Sequence, residues 1–231
     1  MILVVIIFLL IVFVVLCTCR REFIQIAHAG GLYRGQLYTN SLEAIDYNRN
    51  MGFNYFEIDI LYIDNDIRVS HDEQKKGPYP QFSEIVEYVK KNRIYIILDI
   101  KNEYSRVLSR IGDGLDGCWK YFIPQVYCML DMIEVGKYKF DKVLIANWKF
   151  SPSFGELEEM IGYARSKKIR IVGTSLWSNF KMNKNDKWIK YYEFYEKKKI
   201  PIFIHGSINN KEVVEYAKMK KYNIFSQTSF N

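Results

Sequence analysis

Residues 55–101 read "YFEIDILYIDNDIRVSHDEQKKGPYPQFSEIVEYVKKNRIYIILDIK". Two of its segments, "YFEIDI" (55–60) and "IYIILDIK" (94–101), are almost continuous runs of aliphatic and aromatic side chains. A strand that is apolar on both faces belongs in a parallel sheet covered by other elements. Between them, 82–92 carries its apolar residues at helical spacing, so the unit reads strand, helix, parallel strand. From Ile60 to His71 the spacing predicts a hairpin excursion that turns on "DND".

The same alternation continues outward in both directions. Further strand-like runs are "FIQIAH" (23–28), "FIPQVY" (122–127), "KVLIANW" (142–148), "IRIVGTSL" (169–176), "IPIFIHGSI" (200–208) and "YNIFSQT" (222–228). Helices are predicted over 41–50, 104–115, 127–138, 154–168, 186–198 and 210–220, several of them opening on a capping residue such as Ser41 or Asn210. Eight buried strands alternating with helices fit an α/β fold, a (β/α)8 TIM barrel of eight parallel strands. An open doubly wound sheet is the alternative, but no GxGxxG or GxxxxGK[ST] fingerprint is present. No repeat or low-complexity linker divides residues 22–231, which read as one domain.

Residues 1–19 contain no charged side chain. As a helix they would span roughly 28 Å, close to a hydrocarbon core, and predict one N-terminal transmembrane helix. Arg20 and Arg21 follow it with no basic residue before it. This predicts a single-pass membrane protein with residues 22–231 in the cytoplasm. The four cysteines have no metal-ligand spacing with histidine and are compatible with reduced thiols.

The net charge is +7, which favours anionic partners. The lysine pairs at 90–91, 167–168, 197–199 and 220–221 fall late in predicted helices, where cations complement the helix dipole, and they read as solvated helix ends. Basic residues do not interleave with aromatics along one element, which argues against nucleic acid as a partner.

In such a barrel, chemistry sits at the C-terminal ends of the strands. Those ends supply His28, Glu57, Asp59, Asp99, Lys101, Gln125, Tyr127, Asn147, Trp148, Thr174, His205 and Asn209, with His71 closing the excursion. Glu57 and Asp59, two apart on a strand, share a face. Two inward carboxylates at a barrel mouth require a cation, and Asp99 one strand away would add a third oxygen ligand, which suits Mg2+ or Ca2+. An internal Asp99–Lys101 ion pair is the plainer reading of those two residues. Gly30 and Gly31 suit a tight turn with φ > 0 after His28.

The combination His-x-Gly at 28–30, Glu-x-Asp at 57–59, His71-Asp72 and Asp99-x-Lys101 resembles the glycerophosphodiester phosphodiesterase family. That family belongs to a barrel superfamily that includes phosphatidylinositol-specific phospholipase C. The resemblance runs over residues 23–231. It implies that His28 and His71 are the catalytic acid and base, and that Glu57, Asp59 and Asp99 hold a divalent metal. Lys101, Asn40, Gln125, Tyr127 and Asn209 would then bind substrate. The implied activity is hydrolysis of a glycerophosphodiester or related phosphodiester, such as a lipid head group or glycan-linked diester. A phospholipase C- or D-like enzyme on membrane lipid and an inactive membrane-anchored binding barrel are the alternatives. The chain departs from the family pattern at Ala29, where an arginine is usual, at Thr39, where a glutamate is usual, and at Asp99, commonly glutamate. The stretch 206–209 also differs, and the segment after His71 is short, which predicts an open mouth.

Overall fold

The computed structural model describes residues 23–72, 79–112, 114–115, 117–148, 151–177, 187–205 and 211–228. Among these residues there are nine strands: β1 (Gln25–Ala27), β2 (Tyr55–Ile63), β3 (Asp66–Val69), β4 (Tyr95–Ile100), β5 (Phe122–Val126), β6 (Lys142–Ala146), β7 (Arg170–Trp177), β8 (Ile202–His205) and β9 (Asn223–Ser226). Eight of them pair in parallel, and β1 bonds both β9 and β2, which closes the sheet into a barrel. The ninth, β3, is the hairpin excursion, antiparallel to β2. Its turn residues Asp64 and Asn65 have φ of 53° and 62°, and short polar side chains tolerate that region best.

Among the described residues seven helices cover the outside: α1 (Leu42–Asn50), α2 (Phe82–Asn92), α3 (Tyr104–Gly112), α4 (Met129–Val135), α5 (Phe154–Ser166), α6 (Lys187–Lys197) and α7 (Lys211–Lys220). Local chemistry sets their ends. Ser41 caps α1 through Ala44 N, and capping boxes open α2 and α5 with Gln81/Glu84 and Ser153/Glu156. Helix α4 is shorter than its periodicity predicts. Cys128 is extended, and the Asp131 carboxylate accepts from Tyr127 N at 2.9 Å, so the first turn is replaced by a side-chain cap.

The core has two compartments. One lies between the sheet and the helices, where the outward strand residues meet the buried helix stripes. The other is a small layer inside the barrel: Ile26, Ile97, Ile123, Leu144, Phe203 and Phe225. Among the described residues no helix is long and apolar enough to cross a membrane. The predicted anchor at 1–19 and the predicted ligand Asn209 lie outside the described residues.

Candidate active site

The interior layer is the floor of the site. Side chains two apart on a strand share a face, so each interior strand projects its next inward residue one level higher, toward the C-terminal mouth. Thus Ile26 leads to His28, Ile97 to Asp99, Ile123 to Gln125, Phe203 to His205 and Phe225 to Gln227, all five buried. On β2, Tyr55 leads to Glu57 and then Asp59, also buried. Parallel register sets Asp59 opposite Asp99, which brings the carboxylates of two strands together.

The glycines after His28 have a definite cause. Ala29, Gly30 and Gly31 have φ of 49°, 82° and 89°, three left-handed residues in a row. Asn48 of α1 donates to the carbonyls of Gly30 and Leu32, each at 3.1 Å, and holds the turn from below. A Cβ on Gly31 would lie 2.6 Å from Asn48 Nδ2. The reversal aims the Ala29 N–H into the barrel, where it donates to Glu57 Oε2 at 2.7 Å.

Glu57, Asp59 and Asp99 each place a carboxylate oxygen within 4.8 Å of the others. Lys101 Nζ sits 2.6 Å from Asp59 Oδ1 and 2.5 Å from Asp99 Oδ2. The contact to Asp99 is a hydrogen bond, whereas that to Asp59 Oδ1 is an ion pair without hydrogen-bond geometry. So the ion pair and the carboxylate cluster coexist. Burial opposes the ammonium charge, but Asp99, Asp59 and Glu57 outweigh it and hold Lys101 firmly protonated. Burial also opposes the Asp99 charge, and Lys101 and the Tyr127 hydroxyl overcome it to pull that carboxyl below its usual range. For Glu57, burial and then the charges of Asp59 and Asp99 outweigh Lys101 and the Ala29 N–H and push its carboxyl well above the ordinary value.

This arrangement fits a divalent cation. Glu57 Oε1 is buried without a hydrogen-bond partner. With Glu57 ionised, one lysine against three carboxylates leaves two negative charges that a doubly charged ion would balance. Every donor is a hard carboxylate oxygen, the set preferred by Mg2+ and Ca2+.

His28 stands over the cluster, its Nε2 3.7 Å from Glu57 Oε2 and its Nδ1 3.0 Å from Gln227 Nε2. Burial drives its pKa down to about 4, so the ring is neutral in this setting. His71, by contrast, has 42 % of its side chain exposed and bonds Asp72 Oδ1 at 2.8 Å. The two rings do not stack on each other. Tyr38 meets His28 edge-on at 5.0 Å between centroids and His71 at 5.1 Å.

Other predicted residues take more specific places. Asn40 is buried and spends its amide on one partner, donating to Asp59 Oδ2 at 2.8 Å and accepting from Asp59 N at 3.0 Å. The Tyr127 hydroxyl donates to Asp99 Oδ1. Both therefore position metal-type ligands in this arrangement. Gln125 turns a buried, unpartnered Oε1 into the same interior level. Asn147 is buried just past β6, whereas Thr174, expected at a strand end, is buried within β7 because that strand runs on to Trp177.

Two contributors, Tyr38 and Gln227, are not singled out as site residues in the sequence, whereas His205 is among the strand-end candidates. Tyr38 lies in a loop without periodicity. Gln227 follows inward-facing Phe225 by two positions, and strict alternation along β9 would have found it. His205 packs flat on Trp148 at 4.7 Å and edge-on to His28 at 5.0 Å. Burial, with the nearby His28, holds its pKa down to about 3.

No protein-family model and no curated protein matches the chain. Solved structures do. A candidate glycerophosphodiester phosphodiesterase of Galdieria sulphuraria superposes with a TM-score of 0.62 at 12 % identity, over 89 % of this chain and 95 % of that one. A candidate glycerophosphoryl diester phosphodiesterase of Silicibacter pomeroyi gives 0.61 at 10 % identity, over 90 % and 91 %. One from Agrobacterium tumefaciens gives 0.59 at 10 % identity, over 89 % and 93 %. The chain thus has the barrel fold of these proteins, with a buried carboxylate cluster at its C-terminal mouth.

Proposed function

We propose that this protein is a metal-dependent phosphodiesterase of the glycerophosphodiester phosphodiesterase class, hydrolysing a glycerophosphodiester or related diester. The observation that carries this reading is the convergence of Glu57, Asp59 and Asp99 beneath His28. Fold likeness to proteins described by that activity supports it.

Glu57, Asp59 and Asp99 would hold Mg2+ or Ca2+, which supplies charge neutralisation to the phosphate as its transition state forms. Asn40 and Tyr127 keep Asp59 and Asp99 in place. Lys101 offers its remaining N–H bonds to a phosphate oxygen. His28 and His71 divide the proton transfers. One accepts the proton of the attacking water or substrate hydroxyl, while the other returns one to the departing alkoxide as the P–O bond breaks. The two rings differ in environment, His28 buried and His71 partly exposed. A cleft of about 270 Å3 beside Lys101, Tyr127 and Asn102 gives the leaving group room. On the same reading residues 1–19 tether the enzyme to a membrane, with the barrel on the cytoplasmic side.

The test is turnover of bis(p-nitrophenyl) phosphate and of glycerophosphodiesters by the full chain in detergent, with Mg2+, Ca2+ or EDTA. Metal-dependent release that is lost in both His28→Ala and Glu57→Gln is expected. A folded protein that neither binds the metals nor turns over any diester would overturn the reading.

A further inference from the structure

In a parallel barrel the helices run back against the strands, so every helix C-terminus lies at one end, opposite the mouth. Lysine pairs that are far apart in sequence are therefore neighbours. Six of the seven helices carry a basic residue in their last turn, among them Arg49, Lys91, Arg165, Lys197 and Lys220. The seven connections from a helix into a strand (51–54, 93–94, 113–121, 136–141, 167–169, 198–201, 221–222) hold nine Lys or Arg against three Asp.

Some of this charge is neutralised locally, as Lys137 by Glu134, Lys142 by Asp141 and Lys198 by Glu158. Arg93, Lys139, Lys168, Arg170, Lys199 and Lys221 are exposed and pair with no carboxylate among the described residues. The helix dipole explains a cation at each helix end taken singly. It does not explain Arg170, which begins a strand. With Lys142 and Lys199, Arg170 lines an apolar cavity of about 390 Å3 that contains Ile24, Tyr55, Tyr95 and Phe203 and no carboxylate.

Two further features share this end. Met51 and Met219 are 48 % and 69 % exposed at the ends of α1 and α7. The chain also enters β1 here. Phe23 lies under Lys218 Nζ at 5.7 Å, and the uncharged run 1–19 precedes it by three residues.

We propose that this end of the barrel docks on an anionic bilayer surface, its cations on the head groups and Met51 and Met219 in the interfacial layer. A duplex nucleic acid would also attract the charge, but it gives no role to exposed methionines or to an apolar run joined at the same end. Docking this way turns the carboxylate mouth toward water. Resting on the phosphodiesterase reading, that makes the substrate a water-soluble diester rather than a lipid embedded in the same leaflet. Each cation near an anionic leaflet strengthens binding roughly fivefold, and the attraction fades beyond a Debye length.

The experiment is amine-reactive footprinting of the full chain in lipid nanodiscs, read by mass spectrometry without substrate, so its failure leaves the catalytic reading untouched. Discs contain either phosphatidylcholine alone or about 30 % phosphatidylserine. Lys168, Lys199 and Lys221 are expected to label at least about tenfold more slowly in the anionic discs. Lys190, exposed near the start of α6, should not change, and about 0.5 M salt should erase the difference. The triple variant Arg170→Glu, Lys199→Glu, Lys221→Glu, with unchanged circular dichroism, should lose the protection of Lys168. Equal labelling in the two discs would overturn the proposal. So would protection of Lys168 that survives the triple variant, or stronger protection by a DNA duplex than by anionic lipid.

Discussion

Replacing Gly31 by alanine should damage the site from a distance, and the structure says by how much. Gly31 has φ 89° and ψ 178°, a region that only glycine occupies at little cost, so an alanine there is strained by about 1–3 kcal/mol. The added methyl would also sit 2.6 Å from Asn48 Nδ2. Asn48 cannot yield freely, because that nitrogen donates to the carbonyls of Gly30, Leu32 and Ala44 at 3.1, 3.1 and 2.9 Å. Displacing it forfeits two or three of these bonds at about 1 kcal/mol each. The sum is about 3–6 kcal/mol. Urea unfolding of the wild type, Gly31→Ala, Asn48→Ala and the double variant separates the two parts. With Asn48 already truncated, Gly31→Ala should cost only its backbone share, leaving a coupling of about 2–3 kcal/mol. A Gly31→Ala cost under about 1 kcal/mol, or strict additivity in the cycle, would refute the account of why the turn after His28 needs its second glycine.

Other expectations concern the charges. Asn40→Asp keeps the shape but sets a carboxylate 2.8 Å from Asp59 Oδ2; titration calorimetry should show Mg2+ or Ca2+ affinity changed by about 10–100-fold, the usual scale for a group that orients a ligand. Glu57→Gln removes a buried charge that burial and two neighbouring carboxylates already disfavour. Without metal it should unfold at higher urea than wild type while losing the metal-induced rise in melting temperature; a destabilised variant would count against the electrostatic account. His205 has a folded pKa of about 3, below its unfolded value of 6.5. Its contribution is therefore complete above pH 6.5 and is lost as pH falls from there toward 3, by up to about 1.4 kcal/mol per unit. His205→Gln should flatten the pH dependence of the urea midpoint between pH 6 and 4, and an unchanged slope would contradict the neutral buried ring.

Much of the fold was open to reading along the chain, because strands and helices are declared by local periodicity. The eight apolar runs became the eight parallel strands, and "DND" became the hairpin turn between β2 and β3. The shared face of Glu57 and Asp59 was legible for the same reason, since alternation is a property of one strand. Tertiary structure decided which groups share a charge. Asn40 and Asp59 are 19 residues apart, and Gln227 and His28 are 199 apart. No local pattern connects such pairs; the pairing of β1 with β2 brings the first together, and barrel closure between β9 and β1 the second. The loop between β1 and β2 likewise sets Tyr38 against both His28 and His71, and the pairing of β4 with β5 gives Tyr127 to Asp99. The lysines at the helix ends follow the same rule. Each is placed by its own helix dipole, but only the common direction of the helices gathers them on one face.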